Sequence, residues 1–248
     1  MALGKVRKAV VAGVGAEQGL GAALCRRFAR EGYHVLVAGR TPAKVEQVVR
    51  TIAAAGGYAE PVTTDVTAEG DVIALFDRAM AEDGSEPADL VVFNAGNNNP
   101  HDFRTLSAAA FEESWRVGCL AGFLVGREAA RRLAPLGRGT VIFTGASGSL
   151  RGRPSFASFA AAKAGLRAVA QAMAREFGPQ GLHVAHVVID GGIDGERLNS
   201  RFPQRRAQMG ANGMLDIDAI AETYWQIHRQ HPSAWSHEID LRPFKEPF

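Results

Sequence analysis

The hydrophobic positions of this chain follow two alternating patterns. Short runs of apolar, often β-branched residues are separated by longer stretches in which apolar residues recur every three or four positions. The short runs are typical of buried strands and the longer stretches of amphipathic helices, so the alternation predicts repeated βαβ units. The predicted strands cover residues 8–13, 34–38, 58–62, 90–94, 140–145 and 183–189.

The helices predicted between these strands rest on the helical period and on helix-start residues. Leu20, Ala23, Leu24 and Phe28 fall on one helical face. Pro42 is well placed in the first turn of the next helix, which is predicted to run to about residue 55. We expect the remaining helices near residues 68–83, 107–136, 155–177 and 216–230.

Strands that are apolar along most of their length indicate a sheet covered by helices on both faces. With right-handed crossovers, the simplest topology is a doubly wound parallel sheet of the Rossmann type. The chain has neither an internal repeat nor a low-complexity linker, so residues 1–248 are predicted to form one α/β domain. The polar stretch at about 195–213, rich in Arg and Gly, is predicted to be a substrate flap.

Composition restricts the class of protein. The 248 residues are 46% hydrophobic and 22% charged with a formal net charge of +2, which is typical of a globular protein and argues against nucleic-acid binding. No apolar run approaches the roughly 18 residues that a membrane span needs, so no membrane partner is expected. The two cysteines, Cys25 and Cys119, make no disulfide framework, which favours a reducing, cytoplasmic location.

A glycine cluster follows the first predicted strand and opens the first helix. Glycines let the backbone turn tightly and let a pyrophosphate approach amide groups at the positive end of a helix. The position between strand and helix favours a nucleotide site over a tight turn without a ligand. The residues concerned are Gly13, Gly15, Gly19, Leu20 and Gly21.

The end of the second predicted strand bears on the choice of nucleotide. An acidic residue there would bind a ribose 2′-hydroxyl, whereas a guanidinium group can bind a 2′-phosphate. Position 39 is a glycine and Arg40 follows it, so NADP(H) is favoured over NAD(H). The alternative is that Arg40 stacks on the adenine or is only solvated.

Several motifs at matching spacings together resemble the short-chain dehydrogenase/reductase family over nearly the whole chain. They are Gly15-xxx-Gly19-x-Gly21, Asp65-Val66, Asn94-Ala95-Gly96 and Lys163. The resemblance implies that Asp65 and Val66 contact the adenine ring. It also implies that Asn94, Ala95 and Gly96 support the sheet beside the cofactor. Counted from Gly13, the glycine spacing is similar to that of the family's divergent enoyl-reductase branch.

The family acts through a Ser, a Tyr and a Lys, with an Asn one helix earlier, and the Tyr exchanges a proton with the substrate. By resemblance Lys163 matches the Lys, and Phe159 falls on the Tyr position. Ala146 falls on the Ser position and Cys119 on the Asn position. Because a phenyl ring cannot donate a proton, the proton-donor site is predicted to be altered. The Tyr of the divergent branch would fall on Phe156.

Other groups near this site could replace the missing phenol. The alternative donors are Ser147, Ser155, Ser158 and Cys119. Hydroxyl residues are frequent at helix starts, and Ser155 is expected to cap the helix that carries Lys163.

The loop after the sixth predicted strand departs from the family, which usually has Pro-Gly and a Thr there. The loop reads Asp190-Gly191-Gly192-Ile193-Asp194. By resemblance, Asp190 and Asp194 lie near the nicotinamide, and Asp190, Gly191 and Ile193 are expected to bind the cofactor. A carboxylate there could hydrogen-bond the carboxamide or, with a raised pKa, act as an acid. The alternative for Asp194 is to cap the following helix.

Basic residues near the predicted mouth of the site allow two interpretations. They suit an anionic substrate, such as a phosphate- or carboxylate-bearing thioester, or they form a solvated basic surface. These residues are Arg151, Arg153, Arg197, Arg201, Arg205 and Arg206, and His101 could line the same mouth. Neither a carboxylate nor a Cys completes a convincing site around His228, His231 and His237, so no metal is predicted.

Taken together, these features predict an NADP(H)-dependent oxidoreductase with an altered proton-donor site, acting on a C=O, C=C or C=N bond of a small molecule. The alternative is an NADP(H)-binding protein without classical dehydrogenase turnover, such as a sensor. From the resemblance, and from Ala- and Gly-rich stripes on the helices near 107–136 and 155–177, we expect a homotetramer.

Overall fold

Strands and helices alternate along the computed structural model, which describes residues 6–246. In chain order the strands are β1 (Arg7–Ala12), β2 (His34–Gly39), β3 (Tyr58–Thr63), β4 (Glu86–Phe93), β5 (Thr140–Thr144), β6 (His183–Ile189), β7 (Ile193–Asp194), β8 (Leu215–Asp216) and β9 (Glu238–Leu241). Seven of them form one parallel sheet in the order β3-β2-β1-β4-β5-β6-β9. The chain order reverses at β1, where Ala12 pairs with Ala38 of β2 on one side and Phe93 of β4 on the other.

Helices cover both faces of this sheet. They are α1 (Leu20–Arg30), α2 (Pro42–Ala54), α3 (Glu69–Ala79), α4 (Ala108–Trp115), α5 (Ala121–Leu133), α6 (Ala157–Phe177), α7 (Glu196–Arg201), α8 (Arg205–Met209) and α9 (Ile217–His228). The apolar faces of α1, α2 and α9 belong to one buried cluster, and those of α3, α5 and α6 belong to another. The prediction of a single doubly wound α/β domain is therefore confirmed.

Helices α4 and α5 are joined by a π-helical turn at Arg116–Leu120. The helix predicted at 107–136 is therefore nearly continuous but has a widened turn in its middle. Ser107 caps the start of α4 by accepting a hydrogen bond from the Ala110 amide. Within the described residues, no helix is both long enough and apolar enough to cross a membrane.

In the main sheet, the predicted strands differ from the structure at β4 and β9. The strand predicted at 90–94 begins earlier, because β4 starts at Glu86. The hydrophobic pattern also predicts nothing at β9, which completes the sheet beside β6. This four-residue edge strand alternates carboxylate and apolar side chains, and each of its residues is at least partly exposed. Such a segment has too little apolar character to be recognised from its own sequence.

The expected cap of α6 is wrong. This helix starts at Ala157 with Phe156 in the N-cap position, and no side chain makes a capping hydrogen bond there. Ser155 instead has a positive φ of 68°, and its carbonyl accepts a hydrogen bond of 2.8 Å from the His101 amide. Ser155 thus connects the start of α6 to the loop that follows β4.

The stretch at 195–213 leaves the main sheet as an excursion that contains α7 and α8. Its two ends are held together where β7 pairs with β8, with Ile193 beside Leu215. The Glu196 amide also donates a hydrogen bond of 2.7 Å to the Gln18 carbonyl in the glycine loop. The start of the excursion therefore lies directly against the predicted nucleotide site.

Asp194 does not cap α7, the role that one alternative gives it. Gly195 occupies the N-cap position of α7 and has no side chain that could accept a capping hydrogen bond. The Asp194 carboxylate accepts a hydrogen bond of 2.7 Å from Asn199 Nδ2 and lies 3.0 Å from Arg206 Nε. It therefore holds α7 and α8 together.

Candidate functional site

A cleft of about 920 Å³ opens at the carboxyl ends of the parallel strands. It extends from the glycine loop after β1, past the ends of β4 and β5, to α7 and α8. In doubly wound sheets, ligands bind where the strand order reverses, and β1 marks that point here. The cleft is the candidate functional site, and its volume is within the range of about 300–1,000 Å³ that small-molecule sites occupy.

The predicted cofactor residues lie together around this cleft, with one exception. Those that line it are Gly13, Gly15, Gly19, Leu20, Gly21, Arg40, Asp65, Val66, Asn94, Ala95, Gly96, Lys163, Gly191 and Ile193. They come from the ends of different strands, so only the folded sheet brings them together. The exception is Asp190, which lies beneath the surface of the cleft.

The glycine loop has the shape of an anion cradle. Gly13 has a φ of 98°, and a Cβ atom there would lie 2.5 Å from the Ala95 amide nitrogen, so a larger residue does not fit. A Cβ at Gly15 would meet no described atom within 4 Å, because that position faces the open cleft. Gly19 leaves the first amides of α1 uncapped by any side chain. These residues fit a cofactor pyrophosphate at the helix N-terminus.

Basic residues line the end of the cleft near β2. Arg40 follows the strand, and Lys44, one turn into α2, lines the same end together with Thr41. Burial alone would raise the pKa of Asp65, but hydrogen bonds from Thr67 and the positive charge of Arg40 lower it overall. Arg40 was predicted from the sequence but Lys44 was not, although the spacing of four residues between them could have indicated it.

Lys163 lies on the inner face of α6 with its ammonium group at the end of β5. Its Nζ donates a hydrogen bond of 2.8 Å to the Thr144 carbonyl and lies 3.5 Å from the Ala95 carbonyl. Burial, followed by the positive charge of Arg197, lowers the Lys163 pKa to about 8. The ammonium group is thus close to its titration range at neutral pH while remaining in contact with the cleft.

Phe159 and Ala146 line the cleft near Lys163, as the resemblance implies for the Tyr and Ser positions. The Phe159 ring packs over Gly148, where a Cβ atom would lie 3.0 Å from two ring carbons. Ser147 lines the same part of the cleft and is half-buried. This part of the site therefore has an aromatic and a methyl surface, with the Ser147 hydroxyl beside them.

Of the four alternative proton donors, Ser147 alone is among the described residues that line the cleft. Ser158 is buried in α6, and Ser155 is exposed outside the cleft. Cys119 is also buried, and its Sγ lies 2.7 Å from where a Gly165 Cβ would be, so it packs between helices. Burial raises the Cys119 pKa. The expectation that these three side chains could serve as donors is not supported by their positions.

Asp190 is fully buried and is held by two arginines. Both of its carboxylate oxygens accept hydrogen bonds of 2.8 Å from Arg151, and one accepts a further bond of 2.7 Å from Arg242. The expectation that this carboxylate faces the nicotinamide is therefore wrong, because its oxygens are turned towards these guanidinium groups. Gly191 and Ile193 of the same loop do line the cleft.

A chain of hydrogen bonds beneath the cleft was not predicted. The Ala146 amide donates to Ser149 Oγ at 3.2 Å, and Ser149 Oγ lies 3.3 Å from His186 Nε2. His186 Nδ1 lies 2.9 Å from a Glu238 oxygen, and Arg167 binds Glu238 with two bonds of 2.7 Å. Burial lowers the His186 pKa to about 4, against the opposing effect of Glu238. The sequence feature that could have indicated this chain of hydrogen bonds is His186, a histidine within the mostly apolar strand β6.

The six predicted arginines separate into two groups. Three are paired with carboxylates: Arg151 with Asp190, Arg153 with Glu246 at 3.8 Å and Arg206 with Asp194. The other three have no carboxylate partner among residues 6–246, and all of them line the cleft. They are Arg197, Arg201 and Arg205.

The predicted histidines lie elsewhere. His228 bonds through its two ring nitrogens to the Tyr33 and Thr140 hydroxyls, at 2.8 and 2.9 Å. His101 does not belong to the described lining of the cleft. In the part of the chain that the structure describes, no group of His, Cys, Asp and Glu side chains could hold a metal ion.

Comparison with known proteins agrees with this geometry. A family model described as short chain dehydrogenase matches residues 9–206. The chain is 34% identical over 179 residues to the cis-4-hydroxycyclohexanecarboxylate dehydrogenase of Sinomonas cyclohexanicum, which covers 72% of this chain and 70% of that protein. It is 32% identical over 214 residues to the uncharacterized oxidoreductase YuxG of Bacillus subtilis (strain 168). That match covers 85% of this chain but only 30% of the length of YuxG.

The fold comparison leads to the same family. A short-chain dehydrogenase from Rhodopseudomonas palustris superposes with a TM-score of 0.80 at 36% identity, covering 96% of this chain and 99% of that chain. The family model extends over β1, the glycine loop, the ends of β4 and β5, and Lys163. On this agreement of sequence, fold and cleft, the chain belongs to the short-chain dehydrogenase/reductase family.

Proposed function

We propose that this protein is an NADP(H)-dependent oxidoreductase that acts on a C=O, C=C or C=N bond of a small molecule, with an altered proton-donor site. The observation that carries this proposal is one continuous cleft that contains the glycine cradle, Arg40 and Lys163. When bound, the cofactor supplies or accepts a hydride. The residues of this chain bind and orient it, and they control the proton that accompanies the hydride.

The preference for NADP(H) rests on the basic end of the cleft. Arg40 and Lys44 would both face a 2′-phosphate on the adenine ribose, with Thr41 between them. Position 39, where a carboxylate would favour the free 2′-hydroxyl, is a glycine. The two cations, together with the lack of a carboxylate at position 39, support binding of the extra phosphate.

Proton transfer is proposed to use Lys163 and Ser147 in place of a phenol. Two of the contacts of Lys163 Nζ go to the Thr144 and Ala95 carbonyls, which leaves one N–H without a partner among the described residues. A pKa of about 8 suits a group that gives up a proton near neutral pH. Ser147 lines the cleft beside it and could orient the substrate atom that accepts the proton.

A carbonyl or alcohol is the substrate class best supported among the three bond types. The relative from Sinomonas cyclohexanicum is named as a dehydrogenase of a hydroxycyclohexanecarboxylate, which is a secondary alcohol. The Phe159 ring and the Ala146 methyl group leave fewer fixed donors for a carbonyl oxygen than a Tyr and a Ser would give. We therefore expect slow turnover on unactivated ketones and faster turnover on activated ones.

The excursion at 195–213 is proposed to act as the substrate flap. Its two ends are held together by the β7–β8 pair, and it contributes Leu198, Ser200 and Phe202 to the cleft wall. Residues at the two ends of the excursion would act as hinges, since the backbone passes through them between the excursion and the core.

The test is a binding titration run beside a turnover panel. NADPH and NADH binding is measured by fluorescence, and aldehydes, ketones, enones, imines and secondary alcohols are then tested with the matching cofactor form. Tight NADPH binding with turnover of any class supports the proposal. NADPH binding without turnover would support the alternative, a cofactor-binding protein, for which the loss of the phenol is the motivating observation. Failure to bind either nucleotide would overturn both.

A further inference from the structure

Three guanidinium groups on the proposed flap are directed at the cleft without a neutralising partner. Arg197 and Arg201 lie on α7, and Arg205 lies on α8. We call Arg197, Arg201 and Arg205 the flap arginines. Within residues 6–246, none of them lies within ion-pairing distance of a carboxylate, whereas the neighbouring Arg206 is paired with Asp194.

The hydrogen bonds of the flap arginines leave their charge uncompensated. Arg197 Nη1 donates to the Gly96 carbonyl at 2.9 Å, and Arg201 Nη1 donates to the Asn98 carbonyl at 3.3 Å. Carbonyl oxygens satisfy an N–H group but carry no net charge. The Nε of Arg205 is buried, close to Gly192, and has no hydrogen-bond partner among the described residues. A buried donor without a partner costs about 1–3 kcal/mol, which a ligand can recover.

Electrostatic repulsion within the group supports the same conclusion. Burial lowers the Arg197 pKa, and the positive charge of Arg201 lowers it further. Arg197 in turn lowers the pKa of Lys163. Several cations therefore oppose one another across the cleft in the absence of an anion, and an anionic group among them would relieve that repulsion.

Apolar groups lie beside the flap arginines. Phe202 lines the cleft although 46% of its surface is exposed, and the Arg201 guanidinium lies 5.5 Å from the centre of its ring. Leu198 and Phe159 add further apolar wall. A ligand that fills this part of the cleft needs an apolar body as well as an anionic end.

We propose that the flap arginines bind a carboxylate or phosphate group of the substrate, so that the protein acts on anionic rather than neutral carbonyl compounds. This inference rests on the proposed oxidoreductase function. It assigns the substrate anion to the flap, apart from the cofactor phosphates, which have the glycine cradle and the end of the cleft near Arg40. Arg197 lies nearest to Lys163 and could also contact the cofactor. Arg201 and Arg205 therefore carry the test.

The first experiment compares matched acids and neutral compounds on the unmodified protein loaded with NADP⁺. Calorimetry measures the affinity of 4-oxocyclohexanecarboxylate against its carboxamide, and of dihydroxyacetone phosphate against dihydroxyacetone. Because a ketone and NADP⁺ do not react, the measurement needs no turnover. At least one acid is expected to bind about tenfold or more tightly than its neutral partner. The pair that shows the difference tells whether the site takes carboxylate or phosphate.

The second experiment locates the anion. Arg201→Gln with Arg205→Gln should reduce the affinity for the preferred acid about tenfold or more and remove most of its advantage over the neutral compound. NADP⁺ affinity of the same variant should change less than about twofold, because the cofactor phosphates are bound elsewhere. Arg104→Gln, at an exposed arginine outside the cleft that is likewise paired with a carboxylate, Asp102, is the control and should behave as the unmodified protein.

The outcomes separate the two proposals. Equal affinity for acid and neutral compound in both pairs, on protein that binds NADP⁺, would overturn the anion site and leave the proposed function standing. An acid preference that survives the double substitution would also overturn it. Failure to bind NADP⁺ at all would instead overturn the proposed function. The comparison on the unmodified protein remains decisive if the double variant does not fold.

Discussion

Lys163 Nζ donates a hydrogen bond of 2.8 Å to the carbonyl oxygen of Thr144, the last residue of β5. The Thr144 hydroxyl in turn accepts a hydrogen bond of 2.9 Å from Tyr224 of α9, a fully buried phenol. The ammonium group is thus fixed to the end of the strand beside Phe159, whereas a lysine on a surface would sample many rotamers. The position of the Lys163 ammonium group and its pKa therefore depend on the packing of the protein core.

The pH dependence of the reaction should report the Lys163 proton. Burial lowers its pKa from an ordinary value of 10.5 to about 8, so the group is mostly protonated at pH 7 and loses its proton as the pH rises. With saturating NADPH, the reduction rate should fall as the pH rises through about 8. Lys163→Arg stays protonated in this range, so any residual activity should show a flatter profile. The same alkaline fall in that variant would exclude Lys163 as its origin.

Restoring the two family side chains should restore ordinary carbonyl chemistry. Phe159→Tyr with Ala146→Ser would add a phenol one helical turn from Lys163 and a hydroxyl in the same cleft. A positioned general acid contributes about 10²–10⁴-fold, so kcat on simple activated ketones should rise by about tenfold or more, with little change in NADPH affinity. The matched control is Phe202→Tyr with Ala146→Ser, which carries the phenol at a lining phenylalanine that neither branch of the family aligns with its Tyr. An unmodified protein that already reduces these ketones as fast as the first double variant would contradict our interpretation.

Removing the Arg40 cation at the end of β2 should reduce the preference for NADPH over NADH. A charge-assisted phosphate contact contributes about 1.5–3 kcal/mol, so Arg40→Ala should weaken NADPH binding about tenfold or more and leave NADH binding nearly unchanged. Lys44→Ala should have a smaller effect of the same kind. Arg50→Ala, on the exposed side of α2 and outside the cleft, serves as the control. Equal NADPH and NADH affinities in the unmodified protein would refute the preference.

Acid should destabilise the fold through His186. Its folded pKa of about 4 is below the ordinary value of 6.5, so the unfolded chain binds the additional proton first as the pH falls. The stability contributed by the neutral, buried ring is present above pH 6.5 and is lost between pH 6.5 and 4, by about 2 kcal/mol at pH 5. Urea unfolding at pH 7 and pH 5 should show a smaller loss for His186→Gln than for His231→Gln, a surface control. Equal losses in the two variants would argue against this origin.

A homotetramer remains the expected assembly. Phe111, Trp115 and Phe123 are exposed along the outer face of α4 and α5, at 39%, 40% and 44% of their surfaces. Large apolar side chains grouped in this way are typical of a surface covered by another subunit. Light scattering should give about four times the chain mass of 26.4 kDa, and Trp115→Glu should reduce it. A monomer mass at micromolar concentration for the unmodified protein would contradict the expectation.

Much of the fold and most of the cofactor-binding part of the site could be predicted because the signals are local. The apolar period of each strand and helix, and the glycines between β1 and α1, lie within single stretches of sequence. The misplaced residues depend on distant partners. Asp190 was expected to face a ligand, but Arg151 and Arg242 bind it from 39 and 52 positions away. No local pattern records which charged residue a carboxylate will meet after folding.

Cys119 shows that contacts between helices are also difficult to predict from local sequence. The spacing along the sequence aligns Cys119 with the Asn position of the family. The direction of its thiol, however, is decided by the π-helical turn at Arg116–Leu120 and by the absence of a side chain at Gly165. The result is a buried thiol packed between two helices. Packing of this kind depends on two segments that lie far apart in the sequence, so the sequence of either one alone does not reveal it.

The edge strand β9 affects the order in which the two parts of the site can form during synthesis. Glu238 of β9 is hydrogen-bonded to His186, and His186 is hydrogen-bonded to Ser149 Oγ. Ser149 Oγ accepts a hydrogen bond from the Ala146 amide and so fixes this amide beside the cleft. During synthesis the glycine loop emerges early, but the turn at Ala146 stays without this support until residue 238 has been added. A nascent chain could therefore acquire its nucleotide cradle well before its reaction centre, and a chain truncated before Glu238 would retain the first without the second.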